Sequence, residues 1–149
     1  ITGAVVDAVA DALQGGDAEM ATPVYRLNNI QEITDPNVVK VVRAADGRAL
    51  YFSRSPIPYV RDAEEAEWPN LSEFWGHVGL YGFRRSVLEE YENLPEGQLE
   101  MVEKLEQLRL LEVGKHMMTV EIGYRPHAVD VPADLEAVEK LMSQATEER

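Results

Sequence analysis

Apolar and polar positions along the chain switch between two periods, close to four and close to two, which predicts helices interleaved with strands. Val5, Val9 and Leu13 recur in steps of four through "TGAVVDAVADAL", a helical stripe that "QGGD" closes with glycines. "MATPVYRL" reads as a strand, although Pro23 argues against a central, fully hydrogen-bonded place for that residue. "NNIQEITDPNV" reads as loop with one helical turn. "VVKVVRA" and "RALYFSR" read as a β-hairpin joined at Asp46-Gly47, because glycine tolerates the positive φ of a tight turn. "SPIPYVRDAEEAEWPN" holds three prolines and an acidic run, so it reads as an extended surface excursion.

"FWGHVGLYGFRR", residues 74 to 85, is expected to continue as a strand. Side chains alternate along a strand, so His77, Gly79 and Tyr81 fall on one face and Val78 and Leu80 on the other. That places a histidine and a tyrosine either side of a glycine, over a gap with no side chain. A short helix from Ser86 to Asn93 follows, and a second is expected without interruption from Gln98 to Val113. In that helix Met101, Val102, Leu105 and Leu108 form an apolar stripe flanked by Glu106, with Arg109 inside its angular range. Such polar groups need partners, either in an internal ion pair or in the wall of a pocket. "KHMMTVEIG" reads as another strand and "VPADLEAVEKLMSQA" as a final helix. Interleaved strands and helices imply a layered α/β fold.

Composition narrows the picture. A length of 149 residues, 45% apolar and 28% charged, is that of one ordinary globular domain. No apolar run approaches the roughly 20 residues needed to cross a bilayer, and no secretory signal is visible, so no membrane partner is expected. The absence of cysteine fits a reducing, cytoplasmic setting. With 14 basic residues against 27 acidic ones the formal charge is −13, which argues against a nucleic-acid partner. A small anion could still bind where arginines and a divalent metal neutralise it. Because Ile1 rather than Met comes first, the chain is expected to derive from something longer.

Candidate chemistry taken residue by residue stays open. Arg54 ends a strand before a proline-stiffened loop, a position that also suits a surface arginine. His77 and Tyr81 could be core. Asp130, after a strand and two residues before Pro132, could hold a metal beyond the strand's carboxyl end or contribute to capping the last helix.

Taken together and in order, "ALYFSRSPIPYVRD", "HVGLYGFRR", "LEMVEKLEQLRLLEVG" and "VDVPADLEAVEKL" resemble the CMP-Kdo synthetases, the bacterial and plant 3-deoxy-manno-octulosonate cytidylyltransferases. "DPNVVKVVRAADGRALYFSR", with Asn37 and Lys40, is similar as well, and the resemblance runs from about Met20 to Met142. It implies a Rossmann-like nucleotidyltransferase α/β sandwich, of which this chain would be the carboxyl-terminal portion, with a mixed sheet and a β-hairpin excursion. It implies transfer of CMP from CTP to Kdo with release of pyrophosphate, a step of lipopolysaccharide biosynthesis, with Mg²⁺ and as a homodimer. By the same resemblance Arg54, His77 and Tyr81 would meet the acidic sugar, and Glu106 and Gln107 its hydroxyls. Asp130 would be one of two aspartates on Mg²⁺.

Those groups suit Kdo chemically. A guanidinium matches its carboxylate, and a ring of imidazole, phenol, carboxylate and carboxamide matches its hydroxyls. Glycine between His77 and Tyr81 leaves room for a sugar ring. The same donors and acceptors would also suit a sialic acid or an amino-Kdo.

Two departures from the family pattern stand out. The family usually reads Gly-(Val/Ile)-Asp-Thr-Pro-Glu-Asp-Leu, whereas here Ala128, Val131 and Ala133 flank Asp130 and Pro132; loss of the Thr N-cap costs about 1 kcal/mol. The family's amino-terminal half, with its "LPGKPL"-type loop, cytidine pocket and "QGDEP" motif, has no counterpart. Residues 1–149 are therefore expected to be the sugar-binding and dimerisation part of a cytidylyltransferase domain. Alone they would be inactive, and a non-catalytic dimerisation fragment is the contrasting expectation.

Overall fold

The computed structural model describes residues 1–15 and 18–126. The expected final helix and Asp130 lie outside these. Among the described residues six strands form one mixed sheet: β1 (Met20–Leu27), β2 (Lys40–Arg43), β3 (Ala49–Ser53), β4 (Phe74–His77), β5 (Gly82–Phe83) and β6 (Met117–Ile122). β1 is central. β6 runs parallel along one edge of it, from Met20↔Met117 to Tyr25↔Ile122. β4 and then β5 run antiparallel along the other. β2 pairs with β4, and β3 with β2. The Asp46-Gly47 turn forms as expected, with Gly47 at φ +87° and Gly47 N–H donating to Ala44 O at 3.0 Å. Thr119 N donates to Gly47 O at 3.0 Å, so the hairpin turn curls back onto β6.

Among the described residues six α-helices pack around this sheet. They are α1 (Gly3–Gln14), α2 (Ile30–Thr34), α3 (Trp68–Leu71), α4 (Arg85–Tyr91), α5 (Gln98–Glu103) and α6 (Gln107–Glu112). One core holds Val24, Val41, Phe52 and Trp75 with Val87 of α4 and Leu108 of α6. The other holds Tyr25, Phe74 and Val78 with Val5 of α1, Ile33 of α2 and Trp68 of α3. Helices thus cover both faces, as the layered reading expects. Phe74 is fully buried and stacks on Trp68 at 6.2 Å between ring centroids, each such burial contributing about 1.5–3 kcal/mol. Trp68 therefore pins the far end of the proline-rich excursion into the second core.

Three local expectations need correction. The helix expected over 98–113 is two helices, broken at Lys104, which adopts a left-handed conformation at φ +55°. Its stripe does not survive the break: Leu105 and Leu108 are buried, whereas Met101 and Val102 are exposed. The strand expected over 74–85 is also interrupted. Val24 faces His77 and Ala21 faces Gly82, so four residues, 78–81, lie opposite the two residues Thr22 and Pro23. Pro23 does occupy the central strand, but at this interruption. Its carbonyl accepts from Val78 N at 3.1 Å, so its missing N–H falls on the edge where the ladder is already open.

Candidate functional site

The interruption between β4 and β5 builds half of the site. Leu80 N donates back to Val78 O at 2.6 Å, folding the chain tightly about Gly79. The alternation expected of a strand nevertheless persists through the break. Val78 and Leu80 belong to the second core, while Tyr81 packs on the first. His77 meets Phe52 of that first core edge-on, with ring centroids 5.0 Å apart. The His77 and Tyr81 rings lie 5.3 Å apart, and a Cβ placed on Gly79 would meet nothing within 4 Å. Gly79 itself is exposed, so the space over it opens to solvent while the two rings contact each other.

Thr22, wholly buried on β1, orders this half. Its Oγ1 lies 2.8 Å from Leu80 O, 3.2 Å from Val78 O and 2.9 Å from His77 Nε2. A hydroxyl has one proton. Directed to the nearer carbonyl, Leu80 O, it leaves the His77 contact to be donated by the ring, which assigns the Nε2–H tautomer and keeps Nδ1 as an acceptor. Burial lowers the His77 pKa to about 4, so the ring is neutral at pH 7.

The α5–α6 junction builds the other half. Gln107, at the start of α6, is 3% exposed, and its Oε1 accepts from the Tyr81 hydroxyl at 3.0 Å. Its Nε2 is buried without a hydrogen-bond partner among the described residues. Native structures rarely leave such a donor unpaired, because it costs about 1–3 kcal/mol. Burial, and then the neighbouring Glu106 carboxylate, push the Tyr81 pKa up, so this phenol holds its proton. Glu106 itself is exposed, immediately before α6.

Arg54 is tied to the same junction from the end of β3. Its Nε donates to Glu103 O at 2.8 Å, its Nη2 to Lys104 O at 3.4 Å and its Nη1 to Pro36 O at 3.0 Å. Two of the five guanidinium N–H groups stay uncommitted among these bonds. Glu103 answers with its carboxylate, accepting from Ser53 Oγ at 2.6 Å and Arg54 N at 2.9 Å. Burial alone would raise the Glu103 pKa, but bonds from Arg54 N, Ser53 and Tyr51 outweigh it and hold the group below its ordinary value.

The structure thus gathers His77, Tyr81 and Gln107 directly, with Glu106 beside them, and links Arg54 through the helix break. Asp130 lies outside the described residues. Arg109 resolves to an internal ion pair: its Nε and Nη2 bond the two Glu100 oxygens at 2.6 and 2.7 Å, and its guanidinium sits 4.5 Å over the Tyr91 ring. Thr22 and Glu103 escaped the sequence reading. A lone hydroxyl in the apolar run before Pro23 was the only signal for Thr22, and Glu103 had none. A cavity of about 710 Å³ opens elsewhere, over Trp75. None of the expected site residues among the described ones lines it, and its guanidinia, Arg26 and Arg43, already pair with Glu73 and Glu121. The donor and acceptor network, not this cavity, is therefore the candidate site.

Comparison with known proteins bears on the same elements. The cytidylyltransferase family profile matches residues 2–118. The 3-deoxy-manno-octulosonate cytidylyltransferase of Xanthomonas oryzae pv. oryzae is 40% identical over 144 residues, covering 94% of this chain and 56% of the relative. That of Solibacter usitatus is 46% identical over 138 residues, covering 93% and 53%. A solved structure of CMP:2-keto-3-deoxy-manno-octonic acid synthetase complexed with CTP superposes with a TM-score of 0.88 at 38% identity, covering 97% of this chain and 58% of that one. The chain therefore spans about half the length of the relatives it matches. The likeness spans nearly the whole chain, so the fold is a nucleotidyltransferase fold and the chain belongs to the cytidylyltransferase family.

Proposed function

We propose that this chain forms the sugar-binding part of a CMP-Kdo synthetase, which transfers CMP from CTP to Kdo and releases pyrophosphate. The observation that carries the reading is the orphaned Nε2 of Gln107, buried beside the Tyr81 hydroxyl and, past that ring, His77 and the open space over Gly79. Nε2 is closed off from solvent in the free protein, so a sugar hydroxyl would pair with it only once the side chains over it shift. Tyr81 and His77, both neutral at pH 7, orient hydroxyls rather than exchange protons with them. Glu106 adds an acceptor, and the uncommitted N–H groups of Arg54 suit the sugar carboxylate. The names of the relatives favour Kdo among acidic sugars, and the CTP of the solved neighbour favours cytidine triphosphate as donor.

Mg²⁺ belongs to the proposal through Asp130. When bound, it would neutralise the triphosphate and stabilise displacement at the α-phosphorus. Among the described residues no three acidic or histidine side chains converge as a metal site, so these residues fit the sugar rather than the metal. A homodimer in the cytoplasm completes the reading. Leu50 on β3 and Met101 and Val102 on α5 are exposed apolar side chains suited to a second copy, and among the described residues no helix is long and apolar enough to cross a membrane.

The test is pyrophosphate release by the whole protein with CTP and Mg²⁺, comparing Kdo, N-acetylneuraminate and an amino-Kdo. Release dependent on Kdo, with the other sugars at least tenfold poorer in kcat/KM, is expected. A preference for either other sugar, or release independent of sugar, refutes the reading.

A further inference from the structure

The α5–α6 break has a feature that sugar binding by Arg54 and Gln107 does not by itself explain. Glu103, the last residue of α5, and Arg54, just past β3, bond each other reciprocally. The Glu103 carboxylate takes Arg54 N at 2.9 Å and Ser53 Oγ at 2.6 Å, with the Tyr51 hydroxyl at 3.4 Å. In return the Arg54 guanidinium caps the carbonyls of Glu103 and Lys104, at 2.8 and 3.4 Å. Lys104, next in the chain, sits at φ +55°, a conformation unfavourable by roughly 1 kcal/mol or more for a residue other than glycine. Three residues after Lys104 comes Gln107, held by Tyr81.

We propose that Glu103 is a positioning residue. Its carboxylate fastens the α5–α6 break to the end of β3 and thereby sets Arg54 and Gln107 at a fixed separation matched to one sugar. This rests on the reading of those two residues as sugar contacts. Without the Glu103 carboxylate, Ser53 Oγ and Arg54 N lose their acceptor, and the strained turn at Lys104 loses its tether. Misplacement by about 1 Å weakens a multipoint contact far more than it weakens the fold.

Glu103→Ala in the whole protein is expected to raise KM for Kdo about tenfold while KM for CTP stays within about twofold. Glu103→Gln keeps one acceptor oxygen and is expected to fall between Glu103→Ala and the parent. Arg54→Gln and Gln107→Leu are measured alongside, with each combined with Glu103→Ala. Because Glu103 acts through those residues, the double variants are expected to exceed the worse single one by less than about threefold.

Parallel rises in both KM values, a fall in kcat alone, or fully multiplicative doubles would make Glu103 merely structural and overturn the proposal. Should Glu103→Ala not fold, Glu103→Gln is judged by the same criteria. If Arg54→Gln and Gln107→Leu leave KM for Kdo unchanged, the site reading and this proposal fall together. If they raise it and neither Glu103 variant does, only the positioning role falls.

Discussion

Replacing Gln107 by leucine separates a binding carboxamide from a structural one. In the free protein Gln107 is 3% exposed, with one end bonded to Tyr81 at 3.0 Å and the other bonded to nothing among the described residues. The unpaired Nε2 costs about 1–3 kcal/mol, whereas the bond to Tyr81 contributes only about 0.5–1.5 kcal/mol net. Leucine is close in volume, removes the orphan and sits beside Leu105, Leu108 and Leu110, which are already buried. The Tyr81 hydroxyl keeps the Glu106 carboxylate as neighbour. The balance predicts that Gln107→Leu stabilises the free protein by about 1 kcal/mol, a rise in Tm of about 2–4 °C. The same change removes the proposed donor to the sugar, so Kdo binding by the whole protein is expected to weaken about tenfold. Thermal denaturation without substrate and initial rates against Kdo measure the two effects independently. Stability gained with affinity lost identifies a residue kept for its ligand. A loss of more than about 1 kcal/mol would show that Nε2 is satisfied within the fold, and the argument from an orphaned donor would fail.

Other changes probe the rest of the site. Gly79→Ala should leave stability within about 0.5 kcal/mol, since its Cβ meets nothing within 4 Å, yet raise KM for Kdo; unchanged KM would empty the gap of its sugar. Gly76→Ala is the contrast, placing a Cβ 2.6 Å from Cζ of the buried Tyr25, and should cost about 1–3 kcal/mol in denaturant titrations. His77 titrates near 4 when folded and near 6.5 when unfolded, so the unfolded chain binds the extra proton between those values. Its contribution is therefore complete above pH 6.5 and is lost as pH falls toward 4, at up to about 1.4 kcal/mol per pH unit. Denaturation of His77→Gln and the parent at pH 7 and 5 should show the parent losing more, and equal losses would contradict a buried neutral ring.

The residues that carry this site differ in how visible they are to sequence reasoning, and the difference has a physical origin. His77, Gly79 and Tyr81 could be placed on one face because alternation is a local property of extended chain. It survived even where the ladder opened, since Val78 and Leu80 stayed in the second core. The opening itself was half visible. Pro23 announced a residue unable to donate, but that four residues would lie across from Thr22 and Pro23 depended on a strand some fifty positions away. The buried hydroxyl of Thr22 then took up the Leu80 carbonyl, a long-range consequence that no local pattern records.

The break at Lys104 was invisible for a stronger reason. "LEMVEKLEQLRLLEV" has no glycine, proline or asparagine to mark a stop, and its residues favour an unbroken helix. The helix breaks against that preference because a continuous one could not satisfy two demands together. Glu103 must reach the end of β3, and Gln107 must reach Tyr81 on the far side of the junction. In an unbroken helix residues four apart share a face, so both side chains would point the same way. A single left-handed residue re-aims the second helix, and the bonds exchanged between Arg54 and Glu103 hold it there. Strain retained at one lysine, and an unpaired amide retained three residues later, lie side by side where the sugar is proposed to bind. A fold selected for stability alone would have removed both, and their coincidence is the physical ground for placing function at this junction.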